Sequence, residues 1–112
     1  MTSKNKARGS AYERAIVQAL IEHGFEGVER MYGAGRQDDR GDIRGLSRWT
    51  IEAKDHAKHD LGGWLGELAN EMTNARTKFG AVLIKKRGKN VRESYVLLPW
   101  AVLIELLKET NA

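Results

Sequence analysis

The sequence predicts a single α/β domain, and three observations carry that reading. Helical periodicity fills residues 11–23 and 61–79, period-two alternation runs through 49–54 with a matching short run just before it, and an apolar stretch at 81–85 follows the second helix. The chain has 112 residues, enough for one hydrophobic core and too few for two, and no linker or internal repeat divides it.

Ser10 precedes the first amphipathic helix, which spans 11–23, turns Tyr12, Ile16, Ala19 and Leu20 inward with Val17 beside them, and stops at Gly24. Ser10 and Glu13 match the S-x-x-E capping box, in which the two side chains satisfy each other's backbone N–H groups. Glu13 also precedes Ile16, Val17 and Leu20 by helical spacing, which places it at the rim of the inward face. Capping and a place in a functional site both remain open for it. Before this helix, Lys4, Lys6 and Arg8 are expected to form a mobile basic arm over residues 1–9.

Residues 28–32 read as the first strand and 32–40 as a polar, glycine-bearing loop. Gly33 and Gly35 do not make a phosphate loop, because no Gly-Lys-Ser/Thr follows and no helix opens there. The next two runs, 41–46 and 49–54, pair naturally as a hairpin centred on Ser47. In that register Ile43 lies opposite Ile51, Gly45 opposite Trp49, and Asp42 opposite Glu52. A slip of one residue would set Asp42 against Ile51 and mix acids with core residues, so the apolar pattern selects the register. Within 49–54, Thr50, Glu52 and Lys54 share one face, and Trp49, Ile51 and Ala53 the other.

His56 and His59 lack a third ligand at metal spacing and read as solvated loop residues. The helix over 61–79 is expected to bury Leu61, Leu65, Leu68, Met72, Ala75 and Phe79, with Trp64, Glu67, Glu71, Asn74 and Lys78 beside or opposite that stripe. Trp64 is suited to stacking on a base, but partial burial against the sheet is the commoner fate of a helix tryptophan. Gly80 is expected to end the helix before a buried strand at 81–85; a basic turn at 86–90 leads into a strand at 91–98. Pro99 opens a last helix over 100–108 whose Val102, Leu103, Ile104, Leu106 and Leu107 exceed one narrow stripe. That helix is therefore either largely buried or faces another subunit.

Composition limits the functions available. With no cysteine, disulfide frameworks, thiolate zinc sites and cysteine nucleophiles are excluded. No apolar run is long enough to span a bilayer, and residues 1–9 lack the apolar core of a signal peptide, so a cytoplasmic protein with no membrane association is expected. The formal charge of +4 and pI near 9.5 permit a polyanionic partner. Its placement is more informative: Arg36, Arg40, Arg44 and Arg48 surround the acidic hairpin, as cations would if they held phosphates while the acids held a metal. Charge balance against Asp38, Asp39 and Asp42 is the ordinary alternative.

Cross-strand neighbours lie roughly 4.5–5.5 Å apart at Cβ, so one divalent cation could be held by both Asp42 and Glu52. Hard cations such as Mg2+ take oxygen ligands and keep several waters; Asp42, Glu52 and the Ala53 carbonyl would leave positions for water and a phosphate oxygen. Lys54 would orient the nucleophile or stabilise the charge that builds on phosphorus. A surface Asp-Glu-Lys cluster without chemistry is the competing reading.

The order helix, strand, Asp-bearing strand, Glu-x-Lys strand, helix, strand, strand resembles the restriction-endonuclease-like PD-(D/E)xK nuclease fold. Within it the chain is most similar to archaeal-type Holliday-junction resolvases and their small phage-encoded relatives. The matching residues are Gly9-Ser10-Ala11-Tyr12-Glu13-Arg14, His23-Gly24-Phe25, Gly41-Asp42-Ile43, Ile51-Glu52-Ala53-Lys54 and Gly80-Ala81-Val82-Leu83. The resemblance implies a mixed central sheet flanked by helices, Asp42 and Glu52 as metal ligands, Lys54 as catalytic lysine and Glu13 as a further acidic site residue. It also implies Mg2+-dependent hydrolysis with Mn2+ able to substitute, a homodimer with two active sites, and recognition of branched double-stranded DNA by shape, in a bacterial cytoplasm for the phage relatives. Lys4, Lys6, Arg8, Arg36, Arg40 and Arg44 are the expected DNA contacts. Gly41 stands where the motif's name has proline. The expected activity is structure-specific DNA cleavage, Holliday-junction resolution first, in DNA recombination and repair. A nickase or flap endonuclease with the same site, and a non-catalytic DNA-binding accessory protein, are the alternatives.

Overall fold

A computed structural model describes residues 3–31 and 39–110. It is an α/β arrangement of three α-helices and a five-stranded mixed sheet among the described residues. In chain order these are α1 (Ser3–Glu22), β1 (Glu29–Arg30), β2 (Ile43–Arg44), β3 (Trp49–Lys54), α2 (Leu61–Ala75), β4 (Phe79–Ile84), a 3-10 turn (Val91–Glu93), β5 (Tyr95–Leu97) and α3 (Trp100–Thr110). The strands lie in the order β1-β2-β3-β4-β5. Only β3 and β4 pair in parallel, and α2 supplies the long crossover that parallel pairing needs.

The hairpin register follows the apolar pattern. Ile43 pairs with Ile51, and the Asp42 N–H donates to the Ile51 carbonyl at 2.8 Å. Gly41 sits at φ +99°, where a Cβ would lie 2.9 Å from the Ile51 carbonyl oxygen. Proline, fixed near φ −65°, cannot adopt that conformation, so the departure from the motif's proline is a backbone requirement of this hairpin.

Alternation along β3 and β4 divides the core into two clusters. Tyr12 and Ile16 of α1 pack with Val28, Ile43, Ile51 and Ala81 on one face of the sheet. Trp64 and Leu68 of α2 pack with Val82 and Ile84 on the other. A fully buried Val, Ile or Leu among them contributes about 1.5–3 kcal/mol. Trp64 is thus core, only 5% exposed.

Several expected boundaries move. Helix α1 begins at Ser3 and not near residue 11, so Lys4, Lys6 and Arg8 are helical residues with exposed side chains. Ser10 consequently lies inside α1, where no capping box can form, and the capping role of Glu13 is withdrawn. Helix α2 ends at Ala75 because Arg76 turns into the left-handed region at φ 57° and its N–H caps the Met72 and Thr73 carbonyls. Phe79 and Gly80 therefore belong to β4 and not to a helix end. Gly80 gives α2 room to approach the sheet, since a Cβ there would meet the Met72 sulfur at 2.5 Å. The buried stripe of α2 is Trp64, Leu68 and Glu71, while Leu61 is exposed. In place of one strand at 91–98, a 3-10 turn capped by Asn90 precedes a three-residue β5.

Candidate active site

The carboxyl end of β3, the residues that lead into β2 and the first half of α1 enclose a cleft of about 640 Å3. Glu13, Asp42, Glu52, Ala53 and Lys54 all line it. Each is positioned by backbone structure: Glu13 by α1, Glu52 and Lys54 by their common face on β3, and Asp42 by the turn leading into β2. The Ala53 N–H donates to Asp42 Oδ2 at 2.8 Å, which fixes that carboxylate beside the Glu-x-Lys strand.

Among the described residues Glu13 binds Arg30 and no backbone group. Arg30 Nε donates to Glu13 Oε1 at 3.0 Å, and its Nη2 donates to Ser10 Oγ at 3.2 Å. Burial first, then the Asp42 charge, push the Glu13 carboxyl above its ordinary value, and the Arg30 hydrogen bond opposes them. Lys54 Nζ donates to Glu67 Oε2 at 2.7 Å and stands 3.8 Å from Glu52 Oε2. Burial favours the neutral amine, but the hydrogen bond to Glu67 and the charges of Glu52, Glu67 and Asp42 outweigh it, so Lys54 is held as an ammonium above its ordinary value.

Glu52 is the most perturbed acid. It is 6% exposed, and burial, then Asp42, then Glu71 push its pKa up to about 11. Glu71 is 2% exposed, and burial pushes it up to about 7 against the lowering influence of the neighbouring Glu52 carboxyl. Without a cation the two carboxyls hold a proton, and the main ion-pair partner of Lys54 is then Glu67. No donor reaches Glu52 Oε1 or either Glu71 oxygen among the described residues.

The expected DNA contacts divide. Lys6, Arg8 and Arg40 line the cleft. Lys4 is exposed on α1 and does not. Arg44 is also outside the cleft and pairs with Glu29 of β1. Arg36 lies outside the described residues. Arg48 pairs with Glu109 of α3 and lies 4.8 Å from the centre of the Phe79 ring, so it ties α3 to the sheet. Two cleft cations went unassigned in the sequence: Arg30, from β1, and Arg87, which donates to Asp55 Oδ1 at 3.1 Å. His56 lines the cleft and stacks at a tilt on Trp64, centroids 5.5 Å apart.

Glu71 was the acid that sequence reasoning passed over. Its signal was present: it follows Trp64 and Leu68 at helical spacing, so it shares the stripe that α2 buries. Compared with known proteins, the chain matches no family model, no curated protein and no solved structure.

Proposed function

We propose that this protein is a divalent-metal-dependent endodeoxyribonuclease of restriction-endonuclease-like fold that cleaves branched DNA, with Holliday-junction resolution in recombination and repair as its reaction. The observation that carries the reading is the convergence of Glu13, Asp42, Glu52 and Lys54 in one cleft that Lys6, Arg8 and Arg40 also line.

The site fits a hard cation. Its donors are carboxylate oxygens, and Glu52 Oε1 is buried without a donor. Asp42, Glu52 and the Ala53 carbonyl would hold Mg2+, or Mn2+ in its place. When bound, such an ion supplies Lewis-acid activation of water and offsets charge on the phosphate. Lys54, kept protonated by Glu67 and its acidic neighbours, presents a fixed positive charge to the scissile phosphate. Lys6, Arg8 and Arg40 hold neighbouring backbone phosphates, a mode of contact that follows DNA shape and not sequence.

Paired incisions on a nearly two-fold junction call for two sites, hence a homodimer. An exposed apolar surface supports this: Tyr95 and Val96 on edge strand β5 are 50% and 59% exposed, and Trp100 of α3 is 76% exposed. Leu103 and Leu107, also of α3, are exposed as well. No helix among the described residues is long and apolar enough to cross a membrane. The cytoplasm, where DNA is the available polyanion, is the compartment that suits the activity.

The test is a labelled synthetic four-way junction incubated with the protein and Mg2+, with duplex and flap controls. Symmetric paired incisions on the junction are expected. Preferential flap or single-nick cleavage would replace resolution with the related nuclease activities. Binding without cleavage would leave an accessory protein.

A further inference from the structure

The cleft does not account for every acid that Glu52 meets. Glu67 and Glu71, one helical turn apart on α2, are absent from the cleft lining, yet each offers a carboxylate oxygen within 4.8 Å of the others and of Glu52. The charges there do not balance. Among the described residues Lys54 is the cation paired with this cluster; it is engaged by Glu67 at 2.7 Å and approaches only the Oε2 of Glu52. Glu71 is 2% exposed, and among the described residues no donor reaches either of its oxygens or Glu52 Oε1. A buried carboxylate left this way is costly unless it is neutralised or coordinated.

A proton shared by Glu52 and Glu71 would remove one charge, but it needs only two carboxyls. The third, Glu67, is half in solvent and brings an oxygen to the same point. Oxygen ligands bind Mg2+ and Ca2+ at about 2.0–2.6 Å, so donors around one ion lie within roughly 4–5 Å of each other. The three-oxygen cluster has that size.

We propose that Glu52, Glu67 and Glu71 form a second site for a hard divalent cation, on the α2 side of β3, distinct from the Asp42-Glu52 position in the cleft. Glu52 bridges the two through its two oxygens. The inference concerns cation binding and stands whether or not the protein cleaves DNA.

The experiment is a Mn2+ titration of the full chain without DNA, read by electron paramagnetic resonance. Wild type is expected to bind two ions. Glu71→Gln should weaken the second by at least ~10-fold, and so should Glu67→Gln, an exposed change that keeps the fold if Glu71→Gln does not. Asp42→Asn should leave the second ion in place. A Glu67→Gln isotherm identical to wild type would overturn the site, and so would loss of all binding in Asp42→Asn. One ion that survives Asp42→Asn and is lost with Glu67→Gln would keep this site and remove the metal from the cleft.

Discussion

On one face of β3, Ile51 is locked among Tyr12, Ile16, Ile43 and Ala81. On the other, Thr50 meets Thr77 at 2.6 Å, Glu52 meets Glu71, and Lys54 meets Glu67. The two rows alternate residue by residue along six positions. The α1 face holds the sheet together by removing apolar surface from water, while the α2 face carries buried acids whose neutral forms are favoured until something compensates them. The lesson is that a period of two lets one strand anchor the fold and carry the candidate chemistry without either intruding on the other.

The contrast is broken most forcefully by removing the chemical row. Asp42→Asn and Lys54→Ala are each expected to lower Mg2+-dependent junction cleavage by ~10²-fold or more while circular dichroism remains native. Wild-type rates in both would take the cleft out of the reaction. Glu13→Gln sharpens the comparison from the α1 side. Glu13 faces Asp42 and holds Arg30 but caps nothing, so cleavage should fall by ~10–100-fold with an unchanged melting temperature.

The acidic row also sets a pH dependence. A carboxyl whose folded pKa is raised contributes stability that is complete below its unfolded pKa and fades as pH rises through the folded value. For Glu71 that window runs from 4.5 to about 7, and Glu52 extends it towards about 11. In EDTA the protein should therefore melt at a lower temperature at pH 8 than at pH 5, and Glu71→Gln should flatten the difference. A wild-type melting temperature that rises over this interval would show that the acids are not packed as described.

The smallest effect concerns the end of α2. Arg76 occupies the left-handed region at φ 57°, a conformation that glycine adopts without strain. Arg76→Gly should raise stability by ~1 kcal/mol in a denaturant melt. A loss of stability would mean that the arginine side chain contributes more than its backbone costs.

How much of this was legible in the chain varied with the physics of each segment. The pairing of Ile43 with Ile51 and the approach of Asp42 to the Glu-x-Lys strand were legible because a register slip would have exposed core residues. The early start of α1 was not. Residues 4–10 bury little and so show no apolar period; their lysines, arginine and alanine favour helix by propensity alone. The end of α2 was hidden because an arginine stands where glycine ordinarily signals a left-handed cap. Glu71 was placed beside or opposite the expected stripe of α2, although its spacing from Trp64 and Leu68 puts it in the stripe that is buried. The dispersal of the arginines was illegible for a different reason: Arg44 and Arg48 pair with Glu29 and Glu109, partners that only the tertiary fold brings near.

The central claim is that neighbouring residues of β3 separate stability from chemistry, and one paired measurement tests it: junction cleavage and thermal melting of Ile51→Val beside Glu52→Gln. Ile51→Val should lose ~1 kcal/mol of stability and keep its cleavage rate. Glu52→Gln should melt no lower than wild type and lose cleavage almost entirely. Full cleavage by folded Glu52→Gln, or loss of cleavage in folded Ile51→Val, would contradict the account.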